Sequence, residues 1–415
     1  MNRRLLVILS IIALDAVGIG LIFPILPRLL MELTGSGEVS MLYGVVVALY
    51  SLMQFVFSPV LGAMSDRYGR RPVLLSSIGG ATVDYLVMAF SPLFSVLLIG
   101  RAIAGLTSAN MAVATAYIAD ITEESERAKR FGYMSACFGI GFIVGPLIGG
   151  VLGDIWLRGP FVVAAGLNAA NLALVFFALP ESRDLKSSEP KPLTLASFNP
   201  AGPIRWAFGV RPLVPLIGMV FLVGLIGNIP GTVWVLYGMD KFHWNGFTVG
   251  LSLATFGLCH AGSQVLLVGP VTKRFGELKT IIIGAAFDTV AFVIIGLATH
   301  GWVAFAIAPL FAIAGVGPPA VQSLATRDVS DDKQGELQGV LSSVTSLTAI
   351  VGPLIGTFVY ASTKASWIGA VWICGAAIYT LMVPLVLARW RIAKPAPDGS
   401  GLNTPSGNSA DRTPG

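Results

Sequence analysis

The sequence reads Gly-Ala-Met-Ser-Asp-Arg-Tyr-Gly at residues 62–69 and Gly-Pro-Val-Thr-Lys-Arg-Phe-Gly at residues 269–276, each time after a long apolar run. A second motif, Ile-Val-Gly-Pro-Leu-Ile-Gly, stands at residues 143–149 and again, unchanged, at residues 350–356. Both pairs are separated by 207 residues. Because two unrelated motifs share one offset, the chain is predicted to contain an internal duplication.

The composition indicates a lipid environment. Of the 415 residues, 54% are hydrophobic and only 12% are charged, and the mean hydropathy is +0.78. A soluble domain carries about 25% charged residues. No soluble core could absorb so much apolar sequence, so a membrane is the expected solvent. The net charge of +5 is small, and it fits membrane topology rather than nucleic-acid binding.

Twelve apolar runs have the length of a membrane span, which requires about 20 residues. They lie at about 5–30, 41–63, 73–92, 94–118, 131–153, 160–180, 213–237, 246–270, 279–299, 301–324, 336–360 and 366–388. With the duplication, they predict two six-helix halves related by an axis along the membrane normal. A substrate site is then expected between the halves, near the midplane.

The basic residues predict the orientation of these spans. With the N-terminus inside, the outer side receives only Arg28, Arg158, Lys241 and Lys364. Such an excess of inner positive charge places both termini in the cytoplasm. The inner set comprises Arg3, Arg4, Arg67, Arg70, Arg71, Arg127, Lys129, Arg130, Arg183, Lys186, Lys191, Arg205, Arg211, Lys273, Arg274, Lys279, Arg327, Lys333 and the tail residues.

The domain boundaries follow from composition. Residues 1–180 form the N-terminal six-helix half and residues 213–390 the C-terminal half. Residues 181–212, rich in Pro, Ser and charge, are predicted to be a cytoplasmic linker, and residues 391–415 a disordered cytoplasmic tail. The cysteines, Cys137, Cys259 and Cys374, lie in apolar stretches without Cys-x-x-Cys spacing, so neither disulfides nor a metal site is expected.

Several motifs resemble one transporter family. Gly62-x-x-x-Asp66-Arg67-x-Gly69-Arg70-Arg71 resembles the cytoplasmic-loop signature of major facilitator proteins, and Gly141-x-x-x-Gly145-Pro146-x-x-Gly149-Gly150 resembles the antiporter motif of their exporters. The stretch from Asp15 to Gly20, with Pro24 and Pro27, is similar to the first helix of twelve-span drug/proton antiporters. The resemblance narrows to the tetracycline exporters through Thr232-Val233-Trp234-Val235-Leu236, Phe242-x-Trp244 and Leu337-Gln338-Gly339.

This resemblance covers nearly the whole chain except the linker and tail. It implies an all-α membrane protein with the major facilitator fold, acting as a tetracycline/proton antiporter in the bacterial inner membrane and conferring resistance. The expected partners are a small-molecule drug, protons and the lipid bilayer. No cofactor is implied, because Mg²⁺ or another divalent cation would travel as part of the drug chelate.

Three carboxylates, Asp15, Asp84 and Asp288, lie well inside predicted spans. A charge at the bilayer centre costs about 2.5–3.5 kcal/mol on insertion scales. The sequence therefore predicts either a water-filled cavity or a basic partner. Arg101 is the one basic residue well inside a predicted span, so an ion pair with it is the alternative for one of the three.

These carboxylates suggest how exchange would work. A carboxyl group removed from water holds a proton more readily, whereas a cationic substrate favours the ionised group. Proton and substrate then compete for one site, as antiport requires. Asp288 is the predicted proton carrier, and Asp15 and Asp84 are predicted to shape the same acidic cavity.

Polar residues in the seventh and eighth spans are candidate substrate ligands. His260 stands one turn from Gln264, and an isolated histidine of this kind is more often a core residue; the resemblance implies instead a role in handling substrate and proton. Asn228 is able either to bond the neighbouring backbone or to contact substrate. Pro230 and Gly231 predict a break in the seventh helix.

The loop signature predicts a cytoplasmic gate. Its candidate residues are Asp66, Arg67, Arg70, Arg71, Asp120 and Arg127. The resemblance suggests an Arg70–Asp120 pair, and exposed pairs contribute only about 0–1 kcal/mol each. By the offset, Asp66 corresponds to Lys273 and Asp120 to Arg327. This exchange of charge suits halves that meet at the cytoplasmic face, although ordinary positive-inside bias is an equal alternative.

The fifth span contains Gly141, Gly145, Pro146, Gly149 and Gly150. Small residues allow close helix packing, and proline allows a kink. Packing alone and control of leakage between the halves are compatible interpretations of this motif.

Other functions are disfavoured by missing motifs. The sequence contains no Gly-x-Gly-Asp motif of an intramembrane aspartyl protease, no His-Glu-x-x-His motif of a metalloprotease and no P-loop for ATP. No catalytic residue is therefore expected. Symport in place of antiport stays an open alternative. The chain departs from the tetracycline exporters at Ser108-Ala109-Asn110-Met111, Asn228 and Ala261. A major facilitator multidrug exporter with a different or broader cationic drug range is therefore the alternative.

Overall fold

Apolar helices long enough to cross a membrane dominate the protein. The computed structural model describes residues 3–183, 207–210, 212–330 and 333–393. Its helices, in chain order, are α1 (Arg3–Ile22), α2 (Leu26–Thr34), α3 (Ser40–Tyr68), α4 (Arg70–Phe90), α5 (Phe94–Thr107), α6 (Asn110–Asp120), α7 (Glu124–Ile155), α8 (Gly159–Ala178), α9 (Leu213–Phe242), α10 (Gly246–Leu266), α11 (Val268–Phe275), α12 (Glu277–Leu297), α13 (Trp302–Ala306), α14 (Ala308–Ala314), α15 (Gly317–Arg327), α16 (Gln334–Thr363), α17 (Ala370–Tyr379) and α18 (Met382–Ala393).

These helices make twelve candidate spans, as the sequence predicted. The fourth span consists of α5 and α6, the tenth of α13 to α15, and the twelfth of α17 and α18. Only short parts of the predicted linker (181–212) and tail (391–415) are described, so these two predictions lie largely outside the described residues. The all-α architecture with twelve spans confirms the predicted fold class.

Successive spans alternate in direction and define two faces. We name the face that bears Gly69 and Gly276 the terminal face, because α1 begins there. The opposite face, which bears Glu38, Asp154 and Lys364, is the distal face. Within the N-terminal half α1 packs along α7 and α4 along α8, and the halves meet where α7 packs against α10 and α3 against α16.

The fourth and tenth spans are interrupted at equivalent depths. Helix α5 ends at Thr107 and α6 begins at Asn110, while α14 ends at Ala314 and α15 begins at Gly317. The two breaks are therefore again 207 residues apart. The predicted fourth span at 94–118 agrees with the candidate span Phe94–Asp120, and the break inside it arises where Ser108 leaves the helical region at ψ 81°. The duplication thus extends to backbone irregularities.

The glycines of the fifth span lie against the backbone of α1. A Cβ atom added at Gly141, Gly145 or Gly149 would lie 2.5 Å from the carbonyl oxygen of Ala13, Val17 or Leu21, respectively. The four-residue spacing on both helices keeps one close contact per turn. Gly150 faces the other half instead, where an added Cβ would meet the carbonyl oxygen of Gly246 on α10. The predicted close packing is confirmed.

Gly145→Ala should lower the stability of the folded protein by about 1–3 kcal/mol, because overpacking forces two helix backbones apart. Gly139→Ala is the matched control, since an added Cβ there meets no atom within 4 Å. Thermal unfolding of the two purified variants in detergent measures the difference. Equal melting temperatures would contradict the close α1–α7 packing.

Candidate functional site

A cavity of about 850 Å³ lies between the two halves. Most of its lining belongs to the C-terminal half, and the N-terminal half contributes Phe23, Phe142 and Pro146. Towards the terminal face the cavity is lined by Gln322 and Gln338, which are both exposed. The position agrees with the expected substrate site between the repeats.

Asp288 lines this cavity from α12. The hydroxyl of Tyr379, on α17, donates a hydrogen bond to Asp288 Oδ2. This neutral donor does not cancel the charge of an ionised carboxylate. Asp288 therefore presents an acidic group, held by one hydrogen bond, to a space that a solute could occupy.

His260 lines the same cavity from α10. Its ring stacks on Phe256, with ring centroids 5.5 Å apart and planes inclined by 27°. Gln264 Nε2 donates to the Gly315 carbonyl oxygen at 2.9 Å and lies 3.3 Å from His260 Nε2. His260 Nδ1 has no hydrogen-bond partner among the described residues. Gln264 does not line the cavity and instead holds the imidazole against the break in the tenth span.

Asn228 lines the cavity from α9, and its amide donates to the Gly224 carbonyl oxygen at 2.7 Å. The helix is continuous through Pro230, so the predicted break at Pro230 and Gly231 was wrong. A proline removes one backbone donor. The buried neighbours Ile226 and Ile229 hold the flanking turns in the core.

The two carboxylates of the N-terminal half lie outside the cavity. Arg101 Nε donates to Asp84 Oδ1 at 3.0 Å, and both residues are buried, with exposures of 8% and 1%. The ion pair that the sequence left as an alternative is thus formed. Asp15 accepts a hydrogen bond of 3.0 Å from Asn110 Nδ2. The structure therefore places only Asp288 of the three carboxylates in the cavity.

The loop signature forms an ion-pair cluster at the terminal face. Arg70 lies 2.8 Å from Asp66 and 3.1 Å from Asp120, so the predicted Arg70–Asp120 pair is present. Arg71 donates to the Phe176 carbonyl oxygen at 2.5 Å. Arg67 lies beside the Tyr68 ring, at 5.5 Å from its centroid. Neither Arg67 nor Arg127, which is exposed, takes part in an ion pair of this cluster.

Three residues that were assigned to the linker complete this cluster. Glu181 accepts hydrogen bonds from the backbone N–H groups of Arg70 and Arg71 at 2.8 and 3.0 Å. A carboxylate at a helix N-terminus is favoured by the helix dipole. Ser182 donates to Asp120 at 3.0 Å, and Arg183 lies 2.6 Å from Asp66. The sequence signal for the contact of Glu181 with α4 is an acidic residue directly after the sixth predicted span.

The terminal-face ion pairs of Arg70, Arg183 and Arg327 each stay within one half. Those of Arg70 and Arg183 belong to the N-terminal half, whereas Arg327 pairs with Glu277 at 2.5 Å inside the C-terminal half. Asp120 and Arg327 occupy equivalent positions in the two halves and carry opposite charges. Because Asp120 pairs with Arg70 and Arg327 with Glu277, these opposite charges do not pair with each other in this conformation.

At the distal face, side chains join the halves directly. Asp154 of α7 accepts hydrogen bonds from the N–H groups of Gly246 and Phe247 at 3.0 and 2.8 Å, at the start of α10. Arg28 also binds Asp154, at 2.6 Å.

A second distal contact is centred on Lys364. Lys364 pairs with Glu38 of the other half and lies 3.4 Å from Asp240. Tyr360 also donates to Asp240, at 2.8 Å. The Asp154 and Lys364 contacts close the distal face between the halves.

Comparison with known proteins assigns the family. The sequence profile of the Major Facilitator Superfamily matches residues 8–239 and 216–410. The chain is 50% identical over 383 residues to the class C tetracycline resistance protein of Escherichia coli, covering 92% of this chain and 96% of that protein. It is 46% identical over 386 residues to the class G protein of Vibrio anguillarum, covering 93% and 98%.

Solved structures show the same fold. The nucleoside transporter NupG matches 95% of this chain and 100% of its own, with a TM-score of 0.78 at 13% identity. The human organic anion transporter MFSD10 covers 92% and 99%, with a TM-score of 0.69 at 22% identity. With twelve candidate spans in two repeated halves, the chain is a multi-pass membrane protein of the Major Facilitator Superfamily and belongs to its tetracycline resistance proteins.

Proposed function

We propose that the protein is a proton-coupled antiporter that exports tetracycline, as a divalent-metal chelate, from the cytoplasm across the bacterial inner membrane and so confers resistance. The observation that carries this proposal is Asp288, an acidic group lining a cavity of about 850 Å³ between the repeated halves. The near full-length similarity to tetracycline resistance proteins supports the choice of drug. The cargo is moved without chemical conversion.

The terminal face is proposed to be cytoplasmic, with both chain termini on that side. The excess of basic residues predicts this orientation. The distal contacts of Asp154 and Lys364 would then close the outer side. The structure would correspond to the state that receives cytoplasmic drug.

Asp288 is the proposed site of competition between proton and drug. A protonated Asp288 would be neutral and would not attract a cationic chelate, whereas the ionised form would bind it and release the proton. His260 lines the same cavity and would contact the cargo. As the resemblance to the tetracycline exporters implies, Mg²⁺ or another divalent cation would travel as part of the drug chelate, held by the oxygens of the drug.

Asp15 and Asp84 remain proposed proton-coupling groups, and they differ in the partner that each would have to leave. Asp15 is held by a neutral amide, Asn110, so it would exchange a proton without breaking an ion pair. Asp84 would first have to separate from Arg101. Breaking a buried ion pair costs about 3–5 kcal/mol, so Asp84 would titrate only together with a conformational change.

The runner-up is a multidrug/proton exporter of broader cationic range. Asn228 lines the cavity where the tetracycline exporters have glutamine, and Ala261 replaces their serine. Minimum inhibitory concentrations for tetracycline and for a panel of unrelated cationic drugs, with and without expression, distinguish the two. A rise confined to tetracyclines supports the first function, and a rise across the panel supports the second.

Asp288→Asn should abolish proton-coupled efflux, because asparagine cannot alternate between a neutral and an ionised form. In energised everted vesicles, tetracycline should release protons with the wild type and not with the variant. Glu124→Gln, at an exposed position on α7, is the matched control for loss of one carboxylate. Folding of the purified variant in detergent is checked by size-exclusion chromatography. Active efflux by a folded Asp288→Asn protein would refute the assignment.

Asp154→Asn should shift the protein towards a state open at the distal face, because it weakens hydrogen bonds that join the halves. Exposed ionic contacts contribute about 0–1 kcal/mol each, so a two- to fivefold change in population is expected. Spin labels at Met41 and Trp302, which are exposed at the distal ends of different halves, report the separation.

Lys241→Met is the control for the loss of a distal-face charge, since Lys241 lies over the Tyr237 and Phe242 rings and forms no ion pair with another described residue. The distance distribution of this control should match that of the wild type. An unchanged distribution in Asp154→Asn as well would show that the Asp154 contact does not hold the distal face closed.

A further inference from the structure

One face of α16 presents a row of polar side chains to the cavity. Gln338, Ser342, Thr345 and Ser346 all line it, and their spacing of four, seven and eight residues places them on one side of a helix. At 1.5 Å of rise per residue, the row is about 12 Å long. It runs from near the terminal face towards the middle of the span.

Most of this row is free to bind a solute. The hydroxyl of Thr345 donates to the Leu341 carbonyl oxygen at 2.8 Å. Gln338, Ser342 and Ser346 make no side-chain hydrogen bond to another residue in the part of the chain that is described. A polar group facing a cavity without a protein partner is satisfied by water or by a ligand.

The deeper lining of the cavity is apolar by contrast. Trp234, Phe256 and Phe311 line it together, and the Trp234 and Phe311 ring centroids lie 6.2 Å apart. The indole N–H of Trp234 already donates to Ser252 at 3.0 Å, so this residue offers the cavity only its apolar ring. The cavity therefore combines the polar row on α16 with an aromatic patch deeper in its lining.

We propose that the α16 row of Gln338, Ser342 and Ser346 binds the oxygen-bearing edge of a flat fused-ring cargo, whose apolar side rests on the aromatic lining. Hydroxyl and amide side chains both donate and accept hydrogen bonds, so a row of them about 12 Å long can bind an edge of keto and hydroxyl oxygens. This inference rests on the proposed export of tetracycline and adds the contacts that would orient the drug.

The double variant Ser342→Ala/Ser346→Ala tests the row. Two lost hydrogen bonds should raise the KM for tetracycline uptake into everted vesicles about tenfold, with the maximal rate nearly unchanged. Ser343→Ala is the matched control, because its hydroxyl donates to the Gly339 carbonyl oxygen at 2.8 Å and it does not line the cavity. Ser342→Thr/Ser346→Thr keeps both hydroxyls and should keep a KM near that of the wild type. A KM of the alanine double variant within twofold of the wild type would overturn the proposal.

A binding experiment separates this inference from the proposed function. In a cysteine-free background, Ser342→Cys should be alkylated by a maleimide and protected by tetracycline, whereas Ser343→Cys should show no drug protection. Labelling does not require transport. Wild-type vesicles that take up no tetracycline would defeat the proposed function alone, and unprotected Ser342→Cys would defeat the row as the binding surface.

Discussion

A polar group inside a bilayer has no water to bind, so it must find its partner in the protein. This constraint organises the three intramembrane carboxylates. Asp84 has a cationic partner in Arg101, Asp15 has the amide of Asn110, and Asp288 has the hydroxyl of Tyr379. Of these partners only Arg101 carries a charge, and only the carboxylate bonded to Tyr379 faces the cavity. An acid without a cationic partner that faces a cavity is the one best placed to exchange a ligand.

The duplication preserved the spans and the break shared by the fourth and tenth of them, but not these polar groups. By the offset of 207 residues, Asp288 corresponds to Ala81, Asp84 to Ala291, Asp15 to Leu222 and Arg101 to Ala308. The two halves therefore share the arrangement of their spans while differing in chemistry. The N-terminal half holds its carboxylates in closed polar contacts, and the C-terminal half supplies most of the cavity lining. The two halves repeat the same arrangement of spans, but the candidate site with Asp288 lies mainly in one of them.

Much of this arrangement could be predicted from the sequence, because membrane spans and close-packing glycines leave local signals. The twelve spans, the Arg70–Asp120 pair and the packing of Gly145 were predicted correctly. The partners of Glu181 were missed because the acid and the helix N-terminus it binds are 111 residues apart. The break expected at Pro230 does not form, since packing of the surrounding turns outweighs one lost hydrogen bond.

Because the fourth span is interrupted, α6 is a separate short helix whose first and last residues both bind side chains of other helices. Asn110, its first residue, binds Asp15, and Asp120, its last, binds Arg70. Its 11 residues correspond to about 16 Å of helix. A rotation of about 10° at the Ser108–Ala109 joint would displace the far end by about 3 Å over that length, which is enough to break a hydrogen bond. A rotation of α6 would therefore couple the hydrogen bond between Asp15 and Asn110 to the ion pair between Arg70 and Asp120 at the terminal face.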